Sequence, residues 1–277
     1  MTSRRLAFAF IGALLGAAAC DDGGEDVILA PKVPLAYTRF INAVPDTQPT
    51  DWRFIDQLEN SPTAIGLAFR STSPYQATAP GARKLRVFPA DTNVNVVQQM
   101  LIDTTITLTA GTYYTLVHLG NARGNADRLL VIQDDIPNVQ TTNIALRVIH
   151  LGTGLTNLDV FVSDTASTLP LPASPQVANL AYAAVSPYAT RNPGAFRLRA
   201  TTSGQTAVVA NAIAPPGAAA VPVDNLTAIG GSNMGGSAIT AFVFPRSVAG
   251  SKAPQTPAAT FTNPAIVYLI DRHPPRQ

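Results

Sequence analysis

Arg39-Phe40-Ile41, followed by Asp51-Trp52-Arg53-Phe54-Ile55, returns 108 residues later as Arg147-Val148-Ile149 and Asp159-Val160-Phe161-Val162. Leu67-Ala68-Phe69, Ser73-Pro74-Tyr75 and Pro80-Gly81-Ala82 return as Leu180-Ala181-Tyr182, Ser186-Pro187-Tyr188 and Pro193-Gly194-Ala195, now 113 residues on, and Leu85-Arg86 falls on Leu198-Arg199 at that same spacing. Blocks held in register over so long a span mark an internal repeat. The change in spacing adds five residues between strands, which a surface loop tolerates. The chain therefore reads as a tandem duplication, with copy one at 36–137 and copy two at 138–248.

Within each copy the pattern is that of strands. Tyr37 to Ala43, Trp52 to Ile55, Lys84 to Phe88, Met100 to Leu108, Thr112 to Leu119 and Arg128 to Gln133 are short runs of β-branched, aromatic and aliphatic residues. Turn formers separate them, drawn from 23 Pro and 19 Gly, and no stretch sustains a helical period. The expected fold is all-β, two tandem immunoglobulin-like β-sandwiches of about seven strands each. Trp52 shares a strand face with Phe54, and copy two has Val160 and Val162 at those positions, which argues for burial. As the only tryptophan it is also the best candidate for a ligand contact.

The segment 249–277 combines a Pro-rich linker with the apolar run Ala265-Ile266-Val267-Tyr268-Leu269-Ile270, outside both copies. Six residues cannot span a bilayer. An unpaired strand of this composition is an aggregation hazard, so it is expected to pair along an edge of copy two or across to copy one.

At the N-terminus, Arg4-Arg5 precede the apolar run Leu6 to Leu15 and then Gly16-Ala17-Ala18-Ala19-Cys20. Residues 1–19 read as a signal peptide, too short for a permanent membrane span of about 20 apolar residues. Cys20 is the only cysteine and stands where bacterial lipoproteins carry their acylated residue, although Ala17 replaces the usual Leu; cleavage after Ala19 by the ordinary A-x-A rule is the alternative. The expected product is a lipoprotein anchored through Cys20 on the extracytoplasmic side, in periplasm or at the cell surface. Residues 20–35, with Asp21-Asp22-Gly23-Gly24-Glu25-Asp26, read as a tether, since EF-hand spacing is absent. Without the leader the chain carries 17 basic and 17 acidic residues, so the formal net charge falls from +2 to 0. That balance argues against a nucleic-acid partner, which needs clustered Lys and Arg.

Arg39-Phe40-Ile41-Asn42-Ala43-Val44-Pro45-Asp46 with Asp51 resembles the opening of the DUF4397 module, found in tandem in exported bacterial proteins. Leu146-Arg147-Val148-Ile149-His150 and Leu158-Asp159-Val160 continue the likeness, and Leu108 to Val117 and Leu129 to Asp135 resemble the module's later strands. Copy two departs from it, with Gly152-Thr153-Gly154 in place of the Pro-Asp element. The resemblance implies an immunoglobulin-like fold and an exported location, and it supplies no catalytic residues.

His118, His150 and His273 sit in separate segments with no paired spacing, and His118 and His150, in strand-like runs, read as partly buried strand histidines rather than metal ligands. No G-x-S-x-G elbow exists. Gly230-Gly231-Ser232-Asn233-Met234-Gly235-Gly236 lacks the lysine and helix of a phosphate loop and reads as a mobile connection. Asp51 and Asp159 recur at strand starts, where a carboxylate more often accepts backbone N–H bonds than binds a cation. The expectation is no cofactor, no metal and no catalysis: a binding or structural module for an envelope polymer or protein. The alternative is an accessory or degenerate glycan hydrolase built on paired carboxylates.

Overall fold

The computed structural model describes residues 34–166, 169–221, 227–250 and 261–274. Cys20, the leader and most of the tether lie outside them. Residues 34–274 belong to one compact unit.

The first half holds β1 (Ala36–Asn42), β2 (Thr50–Phe54), β3 (Thr63–Leu67), β4 (Gln76–Thr78), β5 (Gly81–Pro89), β6 (Ile102–Leu108), β7 (Tyr113–Leu119) and β8 (Arg128–Asp134). A single helical turn, α1 (Val94–Val97), follows β5, capped by the Asn93 side chain accepting the Asn95 N–H. The second half holds β9 (Ile144–His150), β10 (Leu158–Ser163), β11 (Val177–Leu180), β12 (Ala189–Arg191), β13 (Arg197–Thr202), β14 (Val208–Ile213), β15 (Ala238–Phe244) and β16 (Ala265–Arg272).

Each half pairs its strands into two four-stranded sheets in a sandwich-like arrangement. The orders are β4-β1-β7-β8 with β3-β2-β5-β6, and β12-β9-β15-β16 with β11-β10-β13-β14. Strand for strand the second pair repeats the first, including the one parallel pairing in each, β1 with β7 and β9 with β15. Each half thus has eight strands rather than about seven, because β4 and β12 span three residues apiece, too short to show an alternation.

Copy two, read from the sequence as ending at 248, runs on to Arg272. β16 pairs antiparallel with β15 and fills the place that β8 holds beside β7. The repeat was hidden by its connection, which runs from 245 to 264 where β7 and β8 are joined by 120 to 127.

Strand alternation sorts the side chains into three apolar layers. Phe40, Trp52, Phe54, Leu85, Val87 and Leu116 fill the first sandwich, and Leu146, Val148, Val160, Leu198, Ile239 and Val243 fill the second. Between the halves, Ile41, Phe69, Val117 and Leu119 meet Ile149, Leu151, Phe242 and Phe244. The β1 and β9 sheets are therefore covered on both faces, one by their own sandwich and one by the other half. This is why β9 and β15 are buried at every residue and read as continuous apolar runs.

The Gly230 to Gly236 segment is close-packed. Bridges join Ala218 to Ile229 and Gly231 to Met234, and a Cβ on Gly235 would fall 1.7 Å from the Thr141 carbonyl oxygen. Its glycines permit backbone to approach backbone.

Candidate functional site at the seam between the halves

Arg39 and Arg147 stand on the faces of β1 and β9 opposite Phe40 and Val148, so both enter the seam. Arg39 ion-pairs with Asp271 at the end of β16, Nη2 to Oδ1 2.7 Å, and Arg147 ion-pairs with Asp134 at the end of β8. Each half thus gives its arginine to the other half's aspartate. All four side chains are at most 3% exposed.

The rest of the cluster repeats with the same pseudo-two-fold symmetry, each contact now made within one half. Arg39 Nε donates to Thr115 Oγ1 at 2.8 Å and Arg147 Nε to Thr240 Oγ1 at 2.7 Å. Tyr75 donates its O–H to Asp134 at 2.8 Å, and Tyr188 its O–H to Asp271 at 2.8 Å. Thr115 and Thr240 donate to the same two carboxylates. The guanidinium of Arg39 lies 4.5 Å over the Tyr75 ring and that of Arg147 4.7 Å over Tyr188. The two ion pairs that cross between the halves are reciprocal, as at an isologous dimer interface, here within one chain.

The repeated Ser-Pro-Tyr places these phenols. Ser73 Oγ accepts the Phe40 N–H and Ser186 Oγ the Val148 N–H, both at 2.9 Å, which ties the segment to β1 or β9 and turns the next tyrosine inward. Burial pushes both phenols far above their ordinary pKa, and the neighbouring aspartates add to it, so they remain O–H donors. Burial works against the charge of Arg147, but Tyr188, Asp134 and Asp271 outweigh it and its pKa is raised.

Asp134 is fully bonded, Oδ1 to Arg147 and Oδ2 to Tyr75 and Thr115, whereas Asp271 accepts from Tyr188 and Thr240 on Oδ2 and its Oδ1 lies 2.7 Å from Arg39 Nη2 as an ion pair without hydrogen-bond geometry. Beside this lock opens a cleft of about 490 Å³, lined by Thr112, Tyr113, Gln133, Asp134, Asp135, Asp271 and Arg272 among others.

The residues singled out from sequence lie elsewhere. Cys20 is outside the described residues. Trp52, the proposed contact, is fully enclosed in the first sandwich, its Nε1 donating to Thr50 Oγ1 at 2.9 Å and its ring packed on Phe40, so it offers a ligand no surface. Asp51 accepts the Gly66 N–H at 2.7 Å. Asp159 accepts those of Asn179 at 2.7 Å and Gly204 at 2.8 Å, and these bonds, Asn179 first, hold its pKa below the usual range.

The histidines do not converge. His118 bonds Asp127 at 2.7 Å, His273 Nδ1 accepts the Gly230 N–H, and His150 accepts the Gly152 N–H on Nδ1 while donating from Nε2 to the Thr156 carbonyl. Burial lowers the His150 pKa, with the Thr156 carbonyl opposing. Among the described residues no group of three or more His, Cys, Asp or Glu is placed to hold a metal, and no helix is long and apolar enough to cross a membrane.

Sequence reasoning met Arg39, Arg147, Tyr75 and Tyr188 only as marks of register. The available signal was an arginine inside an apolar strand run in both copies, since a charge there needs a buried partner.

No curated protein matches the chain. Among solved structures, a leucine-rich repeat protein from Bacteroides thetaiotaomicron aligns at 11% identity over 65% of this chain and 24% of its own, with a TM-score of 0.20. The chain thus spans about a quarter of that protein's length. A Parabacteroides distasonis protein whose name proposes a role in cell adhesion aligns at 9% identity over 86% of this chain and 99% of its own, with a TM-score of 0.21. Neither likeness is close enough to carry an argument. Residues 36–161, spanning the first half and the first two strands of the second, match DUF4397, described as a domain of unknown function, and a DUF4397 domain is found there.

Proposed function

We propose that this protein is an exported, lipid-anchored module of the bacterial cell envelope that binds or scaffolds an envelope polymer or protein and catalyses no reaction. The reciprocal pairing of Arg39 with Asp271 and Arg147 with Asp134 carries the reading. Glycan hydrolysis needs one carboxylic acid and one carboxylate free to face the scissile bond. Here two of the three aspartates that line the cleft, Asp134 and Asp271, are spent on holding the halves together, which leaves Asp135 without a second free carboxylate beside it in the cleft. A tandem duplication whose copies exchange ion pairs makes a rigid body, which suits presentation of surfaces away from a membrane. The leader and Cys20 support export and acylation, and the balanced charge of the mature chain speaks against nucleic acid as a partner.

Metabolic palmitate labelling of cells expressing the wild type and Cys20→Ala tests the anchor: label only in the wild type, with the variant released from the membrane fraction, is the expected result. Equal labelling, or none in either, contradicts it. Incubation of the purified protein with envelope glycans tests the absence of catalysis, and release of reducing ends above a blank would reinstate the hydrolase.

A further inference from the structure

We propose that a second cleft, in the second half, binds a carboxylate carried on an apolar body, with the Arg191 guanidinium as its donor. This gives the non-catalytic binding module a ligand class and rests on that reading. The cleft, of about 640 Å³, lies where the end of β10 and the connection after it meet Arg191 at the end of β12. Its wall is apolar at Leu169, Pro170, Leu171 and Pro172, and the charged groups that line it are Arg191, Arg199 and Asp164.

Arg191 is the available donor. Its guanidinium lies 4.3 Å over the Phe196 ring, which holds the group in place before any ligand arrives. Its Nε is buried without a hydrogen-bond partner, and burial lowers its pKa, with Tyr268 opposing. A planar fork of N–H donors that lacks an acceptor matches the two oxygens of a carboxylate.

Arg199, 5% exposed, donates to Ser163 Oγ at 2.8 Å and to the Leu169 and Pro170 carbonyls at 2.6 and 3.1 Å, so it pins the apolar wall. All three acceptors are neutral, and its charge stays uncancelled. Asp164 Oδ1 is turned to its own loop, where it accepts the Ala166 N–H at 3.0 Å. Two arginines against one aspartate leave the lining one positive charge, which suits a monoanion.

The repeat sets this cleft apart from the shared scaffold. By strand register Arg191 stands where the first half has Thr78, Arg199 where it has Arg86, and Asn211 where it has Asp103. In the first half Thr78 bonds Thr38 at 2.7 Å, and Asp103 pairs with Lys84 at 3.0 Å and Arg86 at 3.3 Å. In the second an arginine takes the threonine's place and an amide the carboxylate's. The connection there runs over 164–176, where β2 and β3 are joined by 55–62. Three departures from the repeat thus serve one cleft: a cation added, a counter-ion removed and an apolar wall built.

Titration calorimetry of the purified protein with N-acetyl-leucine, hexanoate and the amide of each tests the site. The expected result is one equivalent of either acid per chain and no binding of the amides. Arg191→Gln should lower the affinity about tenfold or more, and Asn211→Asp, which returns a carboxylate opposite Arg199, several-fold, neither lowering the unfolding temperature. Arg53→Gln, on β2 of the first half, should bind as the wild type does. Tighter binding of N-acetyl-leucine than of hexanoate identifies a peptide chain end, and the reverse a free acid; either order supports the site. No binding of either acid, equal binding of acid and amide, or wild-type affinity in Arg191→Gln overturns it. Tighter binding of inorganic phosphate than of both acids overturns the carboxylate assignment. None of these failures touches the exported, non-catalytic reading, which palmitate labelling and the glycan incubation test separately.

Discussion

Removing one carboxylate from the seam strands a buried arginine, whereas removing the whole pair leaves only the neutral hydroxyls of Tyr75 and Thr115 without their acceptor. Asp134→Ala should therefore cost about 3–5 kcal/mol of unfolding free energy, because Arg147 stays buried without its counter-ion. Replacing both, Arg147→Met with Asp134→Leu, should cost much less, since an apolar pair of similar volume avoids desolvating two charges. Denaturant melts of the three proteins check this, and equal losses would show that the aspartate acts by packing alone. His150 makes a second prediction, in pH. Its ring is fixed neutral by one accepted and one donated bond, and its folded pKa is depressed. The unfolded chain takes up a proton at about pH 6.5 while the folded one does not. The stability linked to this residue is thus present above about pH 6.5 and is lost as pH falls towards the lowered folded value. His150→Gln should flatten the stability profile between about pH 7 and 5 relative to the wild type, and an unchanged difference between the two across that window would contradict the assignment.

β16 shows what an element contributes when sequence places it poorly. Ala265 to Ile270 was legible as a strand, and the need to cover it followed from its composition. Its identity as the eighth strand of the second half was not, because the register that reveals the repeat as far as Leu85 and Leu198 is lost in the long connections before and after β15, 214–237 and 245–264. The lock was illegible for a similar reason: Asp271 belongs to the segment that seemed outside both copies, and spacing along the chain says nothing of a pairing across the seam. By contrast the Leu-Ala-Phe, Ser-Pro-Tyr and Arg-Phe-Ile blocks were legible because each does the same task twice. Deleting residues 258–277 should lower the unfolding temperature by many degrees or leave the protein insoluble, since it bares the β15 edge and strips Arg39 of its partner. A truncated protein that melts like the full chain would show that β16 is dispensable.

At the scale of the whole molecule the seam decides whether there are two beads or one body. It combines the apolar contact of Phe69, Val117 and Leu119 with Phe242 and Phe244 and two exchanged ion pairs. Domains joined by so apolar an interface lose their independence.

Differential scanning calorimetry of the wild type beside Asp134→Ala tests this most directly. One transition is expected for the wild type, with calorimetric and van't Hoff enthalpies equal for the full folded chain, and a single transition at lower temperature for the variant. Two separable transitions in the wild type, with Asp134→Ala moving only one of them, would mean that the halves fold as independent domains and that the exchanged ion pairs do not unite them.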